Sequence, residues 1–171
     1  MLSAVFDGSR CSDFEVRNWA DDRKQAYQAI QRSSADEVRS LLEALYPGRG
    51  AELEAATGRV GAIAAGASTA EAAALGLRSV LERVKGDLFE KARRWPREDM
   101  KWETMAERLV RPEAGPLGAR RLQEQRVVRA KIVSRLSDIA KGRTASCSLD
   151  VEDIMATALD HLLATLHLIA M

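Results

Sequence analysis

Between Gly118 and Met171 the chain reads as a basic helix, a Lys141-Gly142 break and a long apolar helix, and this pair limits the fold more than any other stretch. At about 100° per residue, Leu122, Val128, Ile132, Val133, Leu136 and Ile139 share one arc of the first helix, the pattern of a helix packed on a core. On the same arc stand Gln125 and Arg129, where the periodicity calls for Leu or Ile. A guanidinium facing a core requires a carboxylate, a carbonyl or a bound anion, because stranding a buried charge costs about 3–5 kcal/mol. Arg129 is therefore expected to snorkel, to pair with an acid of a neighbouring helix or subunit, or to contact an anion or RNA in a subunit groove.

The segment 118–143 carries eight cations, Arg120, Arg121, Arg126, Arg129, Lys131, Arg135, Lys141 and Arg143, against Glu124 and Asp138. Such density suits phosphates, and it equally suits an acidic neighbour. The last helix offers one, with Asp150, Glu152, Asp153 and Asp160 and no Lys or Arg, so mutual neutralisation of the two helices ranks first. The set that would serve an anion or nucleic acid is Arg121, Arg126, Arg129, Lys131, Arg135, Lys141 and Arg143. The last helix also carries a broad stripe of Val151, Met155, Ala158, Leu159, Leu162, Leu163, Leu166 and Ile169. That stripe is wide enough for two neighbours, one of them another chain, which makes Met155, Leu159, Leu162, Leu163, Leu166 and Ile169 the expected interface.

Composition fixes the class. Hydrophobic residues reach 46% while aromatics stay at 5%, and after the first few positions β-branched residues never alternate, so the chain is expected to be all-α. A helical bundle of about six or seven helices with a long C-terminal antiparallel pair follows. One helical domain over 1–171 suits the length, with sub-lobes 12–110 and 118–171 joined by a Pro- and Gly-bearing loop at 111–117. A net charge of +1 gives no global field toward nucleic acid or membranes. Met1–Phe6 lacks the form of a signal peptide, and the most apolar tract, 154–171, is interrupted by Asp160, His161 and His167. A cytoplasmic protein that does not enter the membrane is expected, with Cys11 and Cys147 as free thiols.

In chain order, Ser12-Asp13-Phe14-Glu15 has the capping-box form and opens a helix to about Gln31, carrying Trp19, Tyr27 and Ile30 near its apolar side. Ser34-Ala35-Asp36-Glu37 repeats the signature before Val38, Leu41, Leu42 and Leu45, and Pro47-Gly48 closes that helix. Over 51–65 Leu53, Ala56, Val60 and Ile63 keep helical spacing, and Gly58 and Gly61 suggest a seam against another backbone. Ser68-Thr69-Ala70-Glu71 is a third capping box, opening a helix to about Arg94. Trp95-Pro96 marks a joint, and Met100, Trp102, Met105, Leu109 and Val110 make a short amphipathic segment. Gly142 is placed to end the basic helix in a left-handed cap, and Ser146 or Ser148 to cap the last one.

No catalytic constellation is expected. His161 and His167 point about 120° apart on one helix, on opposite borders of the apolar stripe, so they cannot share a metal. No phosphate-binding glycine loop, paired-cysteine zinc pattern or nucleophile elbow occurs, and no cofactor is implied.

The tract 136–145, Leu-Ser-Asp-Ile-Ala-Lys-Gly-Arg-Thr-Ala, followed by an acidic helix start and a Leu-rich helix, resembles a HEPN-type helical module of bacterial abortive-infection and predicted Argonaute-associated proteins. The portion 37–88 resembles the helical region preceding that turn. Such modules often have Lys-Gly-x-His-Ala, and here Thr144 stands in the His position. Thr cannot serve as the imidazole acid or base of metal-independent RNA cleavage. The resemblance thus implies a non-catalytic copy: a protein-interaction or oligomerisation module, dimeric or bound to a partner, such as an accessory subunit of a prokaryotic antiviral defence complex. The alternatives are an RNA- or DNA-binding module using the basic helix, and a degenerate ribonuclease.

Overall fold

The computed structural model describes residues 34–93, 108–143 and 148–169. The chain divides into two units between Ser33 and Ser34, and all described residues belong to the second. Five α-helices make up nearly all of it: α1 (residues 34–45), α2 (Arg49–Gly61), α3 (Ala70–Arg93), α4 (Gly115–Ala140) and α5 (Ser148–Leu168). Among the described residues there is no strand, only one isolated bridge between Val110 and Ile169. No helix among them is long and apolar enough to cross a membrane. The expected helix from Ser12, the Trp95-Pro96 joint, Thr144 and both cysteines lie outside the described residues.

Local chemistry sets the helix ends. The Glu43 carboxylate accepts the N–H groups of Gly48 at 2.9 Å and Gly50 at 3.1 Å, so α2 starts at Arg49, two residues before the periodicity suggests. At α3 the cap is Thr69 rather than Ser68, because its hydroxyl accepts the Ala72 N–H at 3.2 Å. That leaves Glu71 one place short of the capping-box position. Its carboxyl is nonetheless held below the usual range by a backbone hydrogen bond and by the Thr69 hydroxyl. α4 closes as expected. Gly142 adopts φ 62°, its N–H reaches the Ile139 carbonyl at 2.8 Å and the Arg143 N–H reaches Asp138 at 2.9 Å, a Schellman arrangement open to glycine without strain.

Successive helices pack antiparallel. Arg49 of α2 meets Asp87 of α3 at 2.6 Å, Glu82 of α3 meets Arg129 of α4, and Gln125 of α4 meets His161 of α5. The inner stripe of α4 steps by alternate fours and threes: Gly118, Leu122, Gln125, Arg129, Ile132, Leu136, Ile139. It joins Leu77, Leu81, Val84 and Leu88 of α3 and Ile154, Ala158, Leu162 and Leu166 of α5 in one core. This core spans the proposed sub-lobe boundary. The 111–117 segment is no free linker: Pro112–Ala114 form a 3-10 turn and α4 begins at Gly115. Arg111 fastens it to the end of α5, its N–H on the Leu168 carbonyl at 3.0 Å and its Nε on that of Ile169 at 3.3 Å. The glycine seam on α2 is also absent. Gly58 and Gly61 are exposed, and a Cβ at either would touch nothing.

Candidate functional site

Two polar residues interrupt the α4 stripe, and each finds a partner on a different helix. Arg129 Nη1 donates to Glu82 Oε1 of α3 at 2.8 Å, with the arginine side chain 16% exposed and the glutamate 41%. Glu82 Oε2 also faces Lys85 Nζ at 3.9 Å, so one carboxylate serves two cations. Gln125 Oε1 lies 2.9 Å from Nδ1 of His161 on α5. With the amide oxygen as acceptor, the imidazole carries its proton on Nδ1. His161 is only 6% exposed, which corrects the expectation of a border histidine with one nitrogen in water. Burial, with the Arg129 charge as the lesser cause, pushes its pKa down to about 4, so the ring is neutral at pH 7. His167, by contrast, is exposed and meets Glu37 of α1 at 3.1 Å.

Gln125, Arg129 and His161 line a cavity of about 20 Å³ between α3, α4 and α5, with Lys85, Arg126 and Thr165 also on its wall. That is room for roughly one water molecule and for no organic ligand. Arg129 Nε and Thr165 Oγ1 have no hydrogen-bond partner among the described residues. Among the described residues no carboxylate pairs with this neutral, enclosed imidazole. The cluster ties three helices together.

The flank of α4 beside α5 is chemically different. Arg121, Lys131, Arg135 and Lys141 are exposed, and among the described residues none makes an ion pair. Arg120 is tied to Glu124 at 3.4 Å and Arg143 to Asp138 at 3.7 Å, both within α4 or its cap. Arg126 sits apart, exposed on the flank beside α3. Among the described residues, Glu152, Asp153 and Asp160, three of the four acids expected to neutralise the basic helix, make no ion pair with a cation of α4. At helical spacing Ile154, Ala158, His161 and Thr165 of α5 meet α4, and Asp153 and Asp160 stand four residues before and three after Thr157, which lines the α4–α5 groove, so these two acids border that groove. Lys131 and Arg135 stand one turn apart along a groove of about 260 Å³ between α4 and α5, floored by Val128, Ile132 and Ile154. Arg121 falls within an arc of about 80° of them on the helical wheel, so the three cations form one stripe.

The expected interface of α5 is occupied by its own chain. Leu159, Leu162, Leu166 and Ile169 are buried, and the half-buried Met155 and Leu163 pack on the same core. Among the described residues the exposed large apolar side chains are instead Leu75 of α3 and Leu117 and Val127 of α4. Sequence reasoning missed Glu82 and His161. Glu82 carries no local signal, since it follows Leu81 in a helix rich in charge. His161 does carry one, three residues after Ala158 and four before Thr165, in line with Ile154. Comparison with protein-family models, with characterised proteins and with solved structures finds no match for the chain.

Proposed function

We propose that this chain is a non-catalytic helical binding module that holds nucleic acid along the flank of α4 beside α5. The observation that carries the reading is the set Arg121, Lys131, Arg135 and Lys141, exposed cations of one helix that no described acid neutralises. With a net charge of only +1, attraction to a polyanion has to come from such a local field. From Arg121 to Arg135 the stripe covers about 21 Å of helix axis, enough to follow several phosphates of one strand.

Self-association or a protein partner is the second reading, supported now by the exposed Leu117 and Val127 on the same helix rather than by α5. A ribonuclease gains nothing from His161, which is enclosed and neutral. In the favoured reading the complete bundle has six or seven helices and is an inactive HEPN-like module. It serves as a cytoplasmic accessory subunit in a prokaryotic defence complex, keeping phosphate contacts where catalysis is lost.

Fluorescence anisotropy with labelled RNA and DNA oligonucleotides at low salt tests this. Lys131→Glu with Arg135→Glu is expected to weaken binding by at least about ten-fold, while Arg78→Glu on α3 changes it less than about two-fold. Absence of binding at low salt, or equal loss in both variants, refutes the assignment.

A further inference from the structure

The cleft between α2 and α3 carries a second cationic feature, independent of the nucleic-acid reading. Gly76 is buried in the middle of α3, a position where glycine weakens a helix. Close helix packing does not demand it, since a Cβ there would lie 3.7 Å from Ala56 Cα and Cβ, an ordinary contact. The one tight neighbour is Nη1 of Arg59, at 3.1 Å. The absent methyl therefore makes room for a guanidinium from α2 to lie across α3. That guanidinium has no carboxylate partner among the described residues.

A favourable place at the last turn of α2 accounts for a cation at Arg59 but not for the notch beneath it. One turn further along α3 the cleft presents the exposed Ser79 and then Arg83, around a cavity of about 180 Å³. Glu52 lines the same cavity: its Oε1 accepts from Arg49 at 2.8 Å and from Arg83, its Oε2 is buried with no partner among the described residues, and neither oxygen pairs with Arg59.

We propose that this cleft binds a phosphate group, as inorganic phosphate or a small phosphate monoester, with Arg59 as the principal donor and Ser79 and Arg83 beside it. A guanidinium presents a planar fork of donors that matches two phosphate oxygens at once, and the glycine notch leaves the exposed Arg59 room to lay that fork against α3. The volume accepts the phosphate and leaves space for a short ester chain.

The test is a ¹H–¹⁵N NMR titration of the full chain at constant pH and ionic strength, with sodium phosphate replacing sodium chloride. Saturable shifts are expected at the amides of Gly76 and Ser79 and at Arg59 Nε–H. Arg59→Gln removes them, and Gly76→Ala, which favours the helix while displacing the guanidinium, weakens them several-fold without loss of fold. Glycerol phosphate forms a second arm. Tighter binding of the ester identifies an organic phosphate as the ligand, and equal binding identifies the phosphate group alone. Shifts that do not saturate, that map elsewhere, or that persist in Arg59→Gln overturn the proposal.

Discussion

Acid should unfold this protein partly through one ring. His161 is enclosed between α3, α4 and α5, and its pKa falls from 6.5 to about 4. Between those values the unfolded chain takes up a proton that the folded chain refuses, so stability falls as pH falls through that window. The full difference, at about 1.4 kcal/mol per pH unit, is on the order of 3 kcal/mol. Linkage gives a loss of about 1 kcal/mol at about pH 5.5 and about 2 kcal/mol at about pH 4.5, relative to pH 7. Carboxylates elsewhere also titrate, so the control is His161→Gln, which keeps a donor for Gln125 Oε1 and has no proton to gain. Urea unfolding of both proteins across this range isolates the ring. The gap between them should narrow or reverse by about 2–3 kcal/mol as pH drops from neutral to about 4.5. Parallel curves would show that the imidazole is not held neutral by burial, and the account of the three-helix junction would fail with them.

The same junction makes further measurable claims. Arg129→Met is expected to be neutral or mildly stabilising, because Glu82 is 41% exposed and returns to water, whereas Glu82→Ala strands the guanidinium and costs about 1–3 kcal/mol. Chemical denaturation separates the two, and a larger loss for Arg129→Met would reverse the argument. Thr165→Val removes a buried hydroxyl that has no partner, and should raise the midpoint of unfolding by roughly 1 kcal/mol equivalent. A fall in midpoint would reveal a hydrogen bond. Gly142→Ala forces a Cβ into a left-handed cap at φ 62° and should cost about 1 kcal/mol, while Gly58→Ala, open to solvent and inside α2, should stabilise by about the same amount. Thermal unfolding checks both signs.

What could be read beforehand was whatever has a short-range signature. The periodicity of 118–140 and 151–169 gives both helices, and the Lys141-Gly142 break gives the cap that Gly142 forms. Features set across the bundle stayed hidden. The Glu82–Arg129 pair joins residues 47 apart, and a sequence shows only that the guanidinium needs an acid, not which helix supplies it. The α5 stripe looked wide enough for a partner because apolar width says how much must be covered, not that α3 and α4 of the same chain cover it. Pro112, Gly115 and Pro116 read as a loop, yet proline and glycine also begin helices, and the Arg111 contacts that pin the segment to α5 lie 57 and 58 positions away. The small-residue seam was placed on α2 at Gly58 and Gly61. The tight approaches are at Gly50, where a Cβ would meet the Arg39 carbonyl of α1 at 2.9 Å, and at Gly118, where it would lie 2.6 Å from Val110 Cγ1.

The reading of α4 as a nucleic-acid face stands or falls on the salt dependence of binding. With Arg121, Lys131, Arg135 and Lys141 each neutralising a phosphate, log K against log salt should fall with a slope of about −3.6 on duplex, and of about −1.8 once Lys131 and Arg135 are both alanine. A slope that the double substitution leaves unchanged, or binding that ignores salt altogether, would contradict it.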